Sequence, residues 1–276
     1  MINRKLTIII NTFNSSDVIF RCLNSISPNY KVLVIENSND IHFKKKLEEK
    51  YKNLKCYLTR QNLGYAKGNN FGLKLVKTKY ALILNPDAVL KKDSLKKFFF
   101  FTKKIKDFSI VGPSQKNLNN LKNKKKPYEA NIVKGFAMFL NIPEFKKIGF
   151  FDKNFFIYCE EIDLCKRLKD SNKKIFIDPS IQIRHLGGKS HNKSINIEME
   201  LSRNWHWLWS QFYFNQKHYG YYFSILKFTP KIVSTIFRIL FYYLIFDYIR
   251  LKIYQQRLSG LYNSVIGRKS WFRPKV

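Results

Sequence analysis

The stretch KYALILNPDAVL, residues 79–90, decides how the chain is read. Ala81 to Leu84 is a short apolar run without a polar break, the mark of a strand buried on both faces. It stops abruptly at Asn85-Pro86-Asp87. These three residues make turns readily, but a turn alone needs no carboxylate stiffened by a proline at the end of a buried strand.

Working outward, the same kind of run recurs. LTIIIN (6–11), KVLVIE (31–36) and LKCYLT (54–59) are strand-like, and helical patterns separate them. SSDVIFRCLNSI opens with N-cap residues and carries Val18, Cys22, Leu23 and Ile26 at helical spacing. A charged helix follows the NSND loop and runs through Lys50; RQNLGYAKGNN leads into another, ending near Lys77; Asp93 and Ser94 cap a fourth through about Ile105. Alternating strands and helices predict an α/β fold with a mostly parallel central sheet flanked by helices.

KNLNNLKNKKKP (116–127) is basic, of low complexity and unpatterned, and reads as a loop. The pattern resumes with VKGFAMFLNI, a short helix PEFKKIG, and a segment in which Glu161, Leu164, Cys165 and Leu168 fall at helical spacing. KIFIDP and IQIRH are again strand-like. Beyond about Ser194 the strands cease and aromatic-basic helices take over, one opening with Thr229 as N-cap and Pro230 at its first position. In that helix Lys231, Ser234 and Arg238 form a narrow polar stripe in an otherwise apolar circumference.

A chain of 276 residues, 45% hydrophobic and 16% aromatic, has ample means to build a packed core. Its net charge of +32, from 51 basic against 19 acidic residues, implies an anionic partner: nucleic acid, a phosphorylated small molecule or an acidic membrane surface. Charge alone does not choose among them. Cys22, Cys56, Cys159 and Cys165 lack metal-ligand spacing and read as buried thiols of a reducing compartment. The apolar run in KLTIIIN is too short for a secretory signal, and Lys231, Arg238 and Asp247 interrupt the best candidate for a span of about 20 apolar residues. The expected location is cytoplasmic.

In open α/β sheets ligands bind beyond the carboxyl ends of the strands. The residues placed there are Thr12 and Asn14, then Glu36 and Asn37, then Asn62, Gly64, Gly68 and Asn69, then Asn85 and Asp87. No GxGxxG follows a strand, which argues against a dinucleotide site, and GGKS (187–190) lacks the first glycine of a P-loop because Ile183 stands there.

TIIINTFNS, VLVIENSND, QNLGYAKGNNFG, LILNPDAVL, KGFAMFL, CEEIDLCKRL and RHLGGKS occur in the order found in family 2 glycosyltransferases. The chain resembles that family over roughly residues 5–195, and its bacterial rhamnosyltransferase-like members most. The resemblance implies the GT-A (nucleotide-diphospho-sugar transferase) fold: a catalytic domain over 1–195, with a nucleotide-sugar half to about 115 and an acceptor half from about 128, and a helical extension over 196–276. It implies an inverting transfer of a sugar, rhamnose by closest likeness, from a dTDP- or UDP-linked donor to a glycan or polyprenyl-diphosphate-linked acceptor in cell-surface polysaccharide synthesis.

By the same resemblance Asp87 holds a divalent cation, Mg²⁺ or Mn²⁺, bridging the donor diphosphate, with His185 a second ligand and Asn85 beside it. Such cations take one or two carboxylates plus substrate phosphates. Glu161 is the catalytic base, standing where the family usually has Asp, with Glu160 the alternative. Asp163 borders the acceptor or serves the following turn. Thr12, Asn14, Glu36, Asn37, Asn62, Gly64 and Lys67 line the nucleotide, Gly135 borders the sugar and acceptor, and Gly187-Gly188, Lys189 and Ser190 approach phosphate. A plainer reading of the acidic cluster is a solvated helix start favoured by the helix dipole.

The C-terminal aromatic helices have two readings: a peripheral contact with the anionic inner face of the plasma membrane, or a subdomain packed on the sheet or on a second subunit. Competing functions are a basic nucleic-acid-binding protein, which leaves the acids at strand ends unexplained, and a glycosyltransferase-like scaffold without activity. No nucleic-acid partner is expected.

Overall fold

The computed structural model describes residues 5–114, 126–187 and 190–274. Most of the basic 116–127 stretch, with Gly188 and Lys189, therefore lies outside the described residues. Two compact units are present: residues up to Phe151 with Glu161–Asn192, and Asp152–Glu160 with the residues from Lys193 onward.

The first unit is built on β1 (Leu6–Thr12), β2 (Lys31–Glu36), β3 (Leu54–Leu58), β4 (Tyr80–Leu84), β5 (Ala88–Leu90), β6 (Ile110–Pro113), β7 (Tyr128–Glu129), β8 (Ala137–Asn141), β9 (Ile175–Asp178) and β10 (Ile183–His185). Eight of them form one sheet in the order β3-β2-β1-β4-β8-β6-β9-β7, and β5 pairs with β10 separately. The pairs β2–β3, β1–β2 and β1–β4 are parallel, so β1, β2, β3 and β4 share a direction. β8 runs antiparallel to both β4 and β6. Every residue of β4 and β8 is buried, which is why their sequences read as unbroken apolar runs.

The helices are α1 (Ile19–Asn24), α2 (Ile41–Lys50), α3 (Gly64–Lys74), α4 (Ser94–Lys104) and α5 (Glu160–Asp170). Leu164, Cys165 and Leu168 of α5 are fully buried. Phe98 of α4 stacks on Phe139 of β8 at 4.8 Å, fixing that helix to the sheet. Gly72 of α3 lies so close to the sheet that a Cβ there would sit 2.6 Å from Ile9 Cγ2.

Several local expectations are corrected. α1 starts at Ile19, later than the SSD signal, because the Ser15 hydroxyl donates to the Ser190 carbonyl (2.6 Å) instead of capping. Asp93 is the N-cap position of α4 but accepts no capping hydrogen bond there. α3 ends at Lys74, short of Lys77.

The second unit contains α6 (Asn196–Tyr219), α7 (Tyr221–Leu244) and α8 (Tyr248–Val265), which pack on one another around Leu208, Phe212, Phe228 and Leu261. Gly260 lets α8 touch the backbone of α6 at Trp205, where any Cβ would collide with the Trp205 carbonyl. Pro230 is interior to α7, not at its start. An interior proline costs about 3 kcal/mol, and the packing of Phe228 against α6 outweighs it here; the Thr229 hydroxyl, expected as a cap, donates back to the Ile225 carbonyl (2.9 Å). No helix among the described residues is long and apolar enough to cross a membrane.

Candidate active site

The carboxyl ends of β1, β2, β3 and β4 gather the polar residues singled out in the sequence. Thr12 donates its hydroxyl to Glu36 Oε2 at 2.6 Å, and the Ser38 amide donates to Glu36 Oε1 at 2.5 Å. Glu36 is thus fully buried with both oxygens occupied, and it shapes the rim without presenting an edge to solvent. Burial pushes its carboxyl above the ordinary range despite the bonds from Ser38 and Thr12. Asn14 adopts the left-handed conformation (φ 47°) and donates its amide to Ser38 Oγ at 2.6 Å. Its side-chain nitrogen is buried without a hydrogen-bond partner, a donor ready for a ligand acceptor.

Asn11, which the sequence reading passed over, is the hub of this rim. Its side-chain N–H donates to the Gly64 carbonyl (2.9 Å), and its Oδ1 accepts from Asn37. Asn37 Oδ1 in turn accepts from Thr59 and from the Leu63 amide (3.1 Å), tying β2 to the start of α3. Asn62 Oδ1 accepts from the Gly64 amide at 3.0 Å, and Gly64 takes φ +70°, so this pair makes the tight entry into α3. Gly68 packs against Asn11 itself, where a Cβ would lie 2.5 Å from Oδ1. Lys67 is exposed on α3.

Beyond β4 the chain turns so that β5 pairs with β10 in the register Ala88↔His185. That register puts His185 Nε2 3.3 Å from Asp87 Oδ1. Asp87 is 2% exposed, and neither of its carboxylate oxygens has a hydrogen-bond partner among the described residues. A buried carboxylate with unused lone pairs is costly, and a cation is what would offset that cost. Asn85 is fastened by its backbone, with its amide donating to the Phe136 carbonyl at 2.9 Å. Phe136 stacks on the His185 ring at 4.6 Å and fixes its plane.

The segment 133–136 links this pair to the acidic cluster. Tyr65 donates its hydroxyl to the Gly135 carbonyl, and a Cβ on Gly135 would crowd that oxygen at 2.9 Å. Cys165 of α5 is held by the backbone of Val133. Lys134 faces Glu161 closely enough to act on its charge. Asp87 and Glu161 therefore belong to the same unit, at either end of one four-residue strap. Glu161 Oε2 is buried without a hydrogen-bond partner. Burial pushes its carboxyl above the usual range; the N–H groups of Glu161 and Ile162 and the charge of Lys134 oppose this only partly.

Asp163 is fully buried and paired with Arg167 (Nε to Oδ2 2.8 Å), which also donates to the carbonyls of Ile148 and Phe150. This side chain anchors the turn before the acidic cluster. Glu160 is also buried, at the first position of α5. Ser190 receives the Ser15 hydroxyl on its carbonyl, and the Asn192 amide donates to the Asn14 carbonyl at 2.7 Å, so the segment after β10 returns to the rim beyond β1. None of the four cysteines is in a disulfide and all are buried, and burial raises the thiols of Cys22, Cys56 and Cys165.

Lys134, Phe136, Asn11 and Ser38 are the site residues that sequence reasoning missed. Lys134 and Phe136 flank Gly135 within KGFAMF, so the motif itself was the available signal. Asn11 and Ser38 likewise lie within TIIINTFNS and VLVIENSND.

No group of three or more His, Cys, Asp or Glu side chains among the described residues could hold a metal by itself. Asp87 and His185 fit a cation whose remaining ligands would come from a substrate diphosphate and water.

Comparison with known proteins gives the family and the fold. Residues 7–167 match the sequence profile described as Glycosyl transferase family 2. The chain is 26% identical over 200 residues to rhamnosyltransferase WbbL of Escherichia coli K12, covering 59% of this chain and 75% of that protein. It is 23% identical over 197 residues to the low-salt glycan biosynthesis hexosyltransferase Agl10 of Haloferax volcanii, covering 62% of this chain and 63% of that one. Among solved structures, the mannosyltransferase PcManGT of Pyrobaculum calidifontis, in complex with GDP-Man and Mn²⁺, superposes with a TM-score of 0.61 at 11% identity over 95% of this chain and 87% of its own. GalNAc-T7 with UDP, GalNAc and Mn²⁺ gives 0.57 at 14% identity over 77% of this chain and half of its own. These two likenesses carry the GT-A fold.

Proposed function

The chain belongs to glycosyl transferase family 2, and on that premise we propose that it transfers a hexose or deoxyhexose, rhamnose first among the candidates, from a nucleoside-diphosphate sugar to a hydroxyl of a glycan or polyprenyl-diphosphate-linked acceptor, with inversion at the anomeric carbon and dependence on Mg²⁺ or Mn²⁺. The observation that carries the metal dependence is the buried Asp87 carboxylate with both oxygens unbonded and His185 Nε2 3.3 Å away. Asp87 and His185 would hold the cation, which when bound supplies charge neutralisation to the departing diphosphate.

The remaining work falls to the chain's own groups. Glu161 takes the proton from the attacking acceptor hydroxyl, a role suited to a carboxyl whose proton affinity is raised by burial. The charge of Lys134 favours the ionised form of that carboxylate, while the strap through Gly135 leaves room for a sugar beside it. Asn14, with its unpartnered amide nitrogen, donates to the nucleotide. Asn37 and Asn62 set the backbone against which the nucleotide lies, and Lys67 and the positive field of the chain draw the anionic donor in.

The same reading places the protein at the inner face of the plasma membrane, where lipid-linked acceptors reside. The nucleic-acid alternative has no comparable support: its motives are charge and interleaved aromatics, an anionic donor and an acidic surface account for the charge equally well, and it leaves the acids at the strand ends unexplained. The test is turnover of a panel of nucleotide sugars with Mn²⁺, Mg²⁺ or a chelator. Turnover that persists with the metal stripped, or that survives Asp87→Ala, overturns the assignment of the site.

A further inference from the structure

α7 is inside out. Toward its neighbours it turns Ser224, Phe228 and Thr235, with Ile225 and Ile232 half-buried beside them, and the two hydroxyls donate back along the chain (Ser224 to the Gly220 carbonyl, Thr235 to the Lys231 carbonyl, both 2.7 Å). The residues it turns outward are apolar: Leu226, Val233, Phe237, Leu240, Phe241 and Leu244 are each 48–75% exposed. At about 100° per residue these six fall on a single stripe opposite the buried one. The stripe continues through the link to α8, where Ile245, Phe246, Tyr248 and Ile249 are exposed too. A shallow groove of about 750 Å³ runs along it from Thr229 to Phe241.

One flank of the stripe is cationic. Lys227, Lys231 and Arg238 share a face beside it, and α7 contains no acidic residue. Their hydrogen bonds go to neutral groups: Asn215, Gln211 and the Tyr254 hydroxyl. No carboxylate neutralises the flank among the described residues, and Arg238 also lines the apolar groove.

We propose that α7 is an in-plane membrane anchor, its apolar stripe bedded at the acyl-chain boundary of an anionic phospholipid bilayer while Lys227, Lys231 and Arg238 pair with lipid phosphates. This deepens, and rests on, the peripheral location proposed above. An exposed apolar face needs a cover, and the flank selects which. A second copy of a chain carrying +32 would bring like charges together. Spanning the bilayer is excluded for α7, which is not apolar enough to cross. An amphipathic helix with aromatic and leucine side chains beside a basic flank suits the interface plane of an acidic membrane.

The experiment is co-sedimentation of the full chain with vesicles of phosphatidylcholine alone and of phosphatidylcholine with phosphatidylglycerol. The wild type binds the anionic vesicles, and Leu226→Glu/Phe237→Glu lowers the partition coefficient by about tenfold or more, with far-UV circular dichroism and donor hydrolysis in solution unchanged. If that variant loses helicity, Leu240→Glu/Leu244→Glu makes the same test. Equal binding by a folded variant overturns the proposal, because charge elsewhere then does the attaching. Absence of binding by the wild type overturns it too, as does a wild-type dimer that the substitutions dissociate. Donor hydrolysis by Asp87→Ala reads the enzymatic assignment separately.

Discussion

Asp87 and Glu161 are both carboxylates with buried, unbonded oxygens, and the proposed tasks of both, holding a cation and accepting a proton, need the ionised form. Asp87 must stay ionised to hold a cation, so removing its charge should remove metal affinity. Asp87→Asn is expected to lose the thermal stabilisation given by Mn²⁺ with nucleotide and to lower kcat by two to three orders of magnitude, read by a melting series and by turnover. Glu161 must lose its proton before it can take one. Burial raises its proton affinity, so kcat/KM should fall on the acid limb with an apparent pKa above the roughly 4.3 of a free glutamate. A limb at or below that value contradicts the base assignment. The sign for stability is the reverse: a raised carboxyl contributes stability when protonated, and that contribution is lost as pH rises through its folded-state value. Glu161→Gln should therefore cut turnover by 10²–10⁴ while its Tm at neutral pH equals or exceeds that of the wild type.

At the scale of elements, the site is aligned by helix α3 lying close on β1. Two glycines permit that closeness at different points: Gly68 against Asn11 and Gly72 against Ile9. Gly68→Ala pushes the Asn11 side chain from its bonds to Gly64 and Asn37, and should cost about 1–3 kcal/mol and raise KM for the nucleotide donor. Gly72→Ala meets Ile9 and Ile35, away from those bonds, and should cost a similar amount of stability with KM unchanged. Denaturant unfolding and donor titration separate the two effects; an equal rise in KM for both would deny Asn11 its role. Sequence patterns found these elements well where burial is nearly complete: β2 occupies Lys31–Glu36 as read, and β1 and β4 differ by a residue or none. They failed for β5, β6 and β7, short strands whose existence depends on distant partners, and for Pro230, which packing holds inside a helix that local propensity would end.

For the whole molecule, charge is the dominant bulk property. A net +32 repels itself, so raising monovalent salt from about 50 to 500 mM, which shortens the screening length to a few ångströms, should raise Tm in the absence of ligand. The same salt should weaken binding of the nucleotide donor, measured by titration, because the attraction it screens is between opposite charges. A Tm that falls with salt would mean that attractive pairs, not repulsion, govern this surface. The exposed cationic flank of α7 belongs to the same account: it retains charge that a self-contained fold would have paired.

The alternation of buried strands and helices, the carboxylate at the end of β4 and the acidic start of α5 were all determined by the sequence itself, because strand burial, helical spacing and residue chemistry are local properties. Which residues meet was decided only by the tertiary structure. His185 reaches Asp87 through a strand pairing between residues 97 positions apart, the charge of Lys134 acts on Glu161 from a strap that Tyr65 fastens at Gly135, and the outward turn of the apolar face of α7 follows from which side packs on α6 and α8. Contacts between distant segments rest on packing energy summed over the whole fold, and no window of residues contains it.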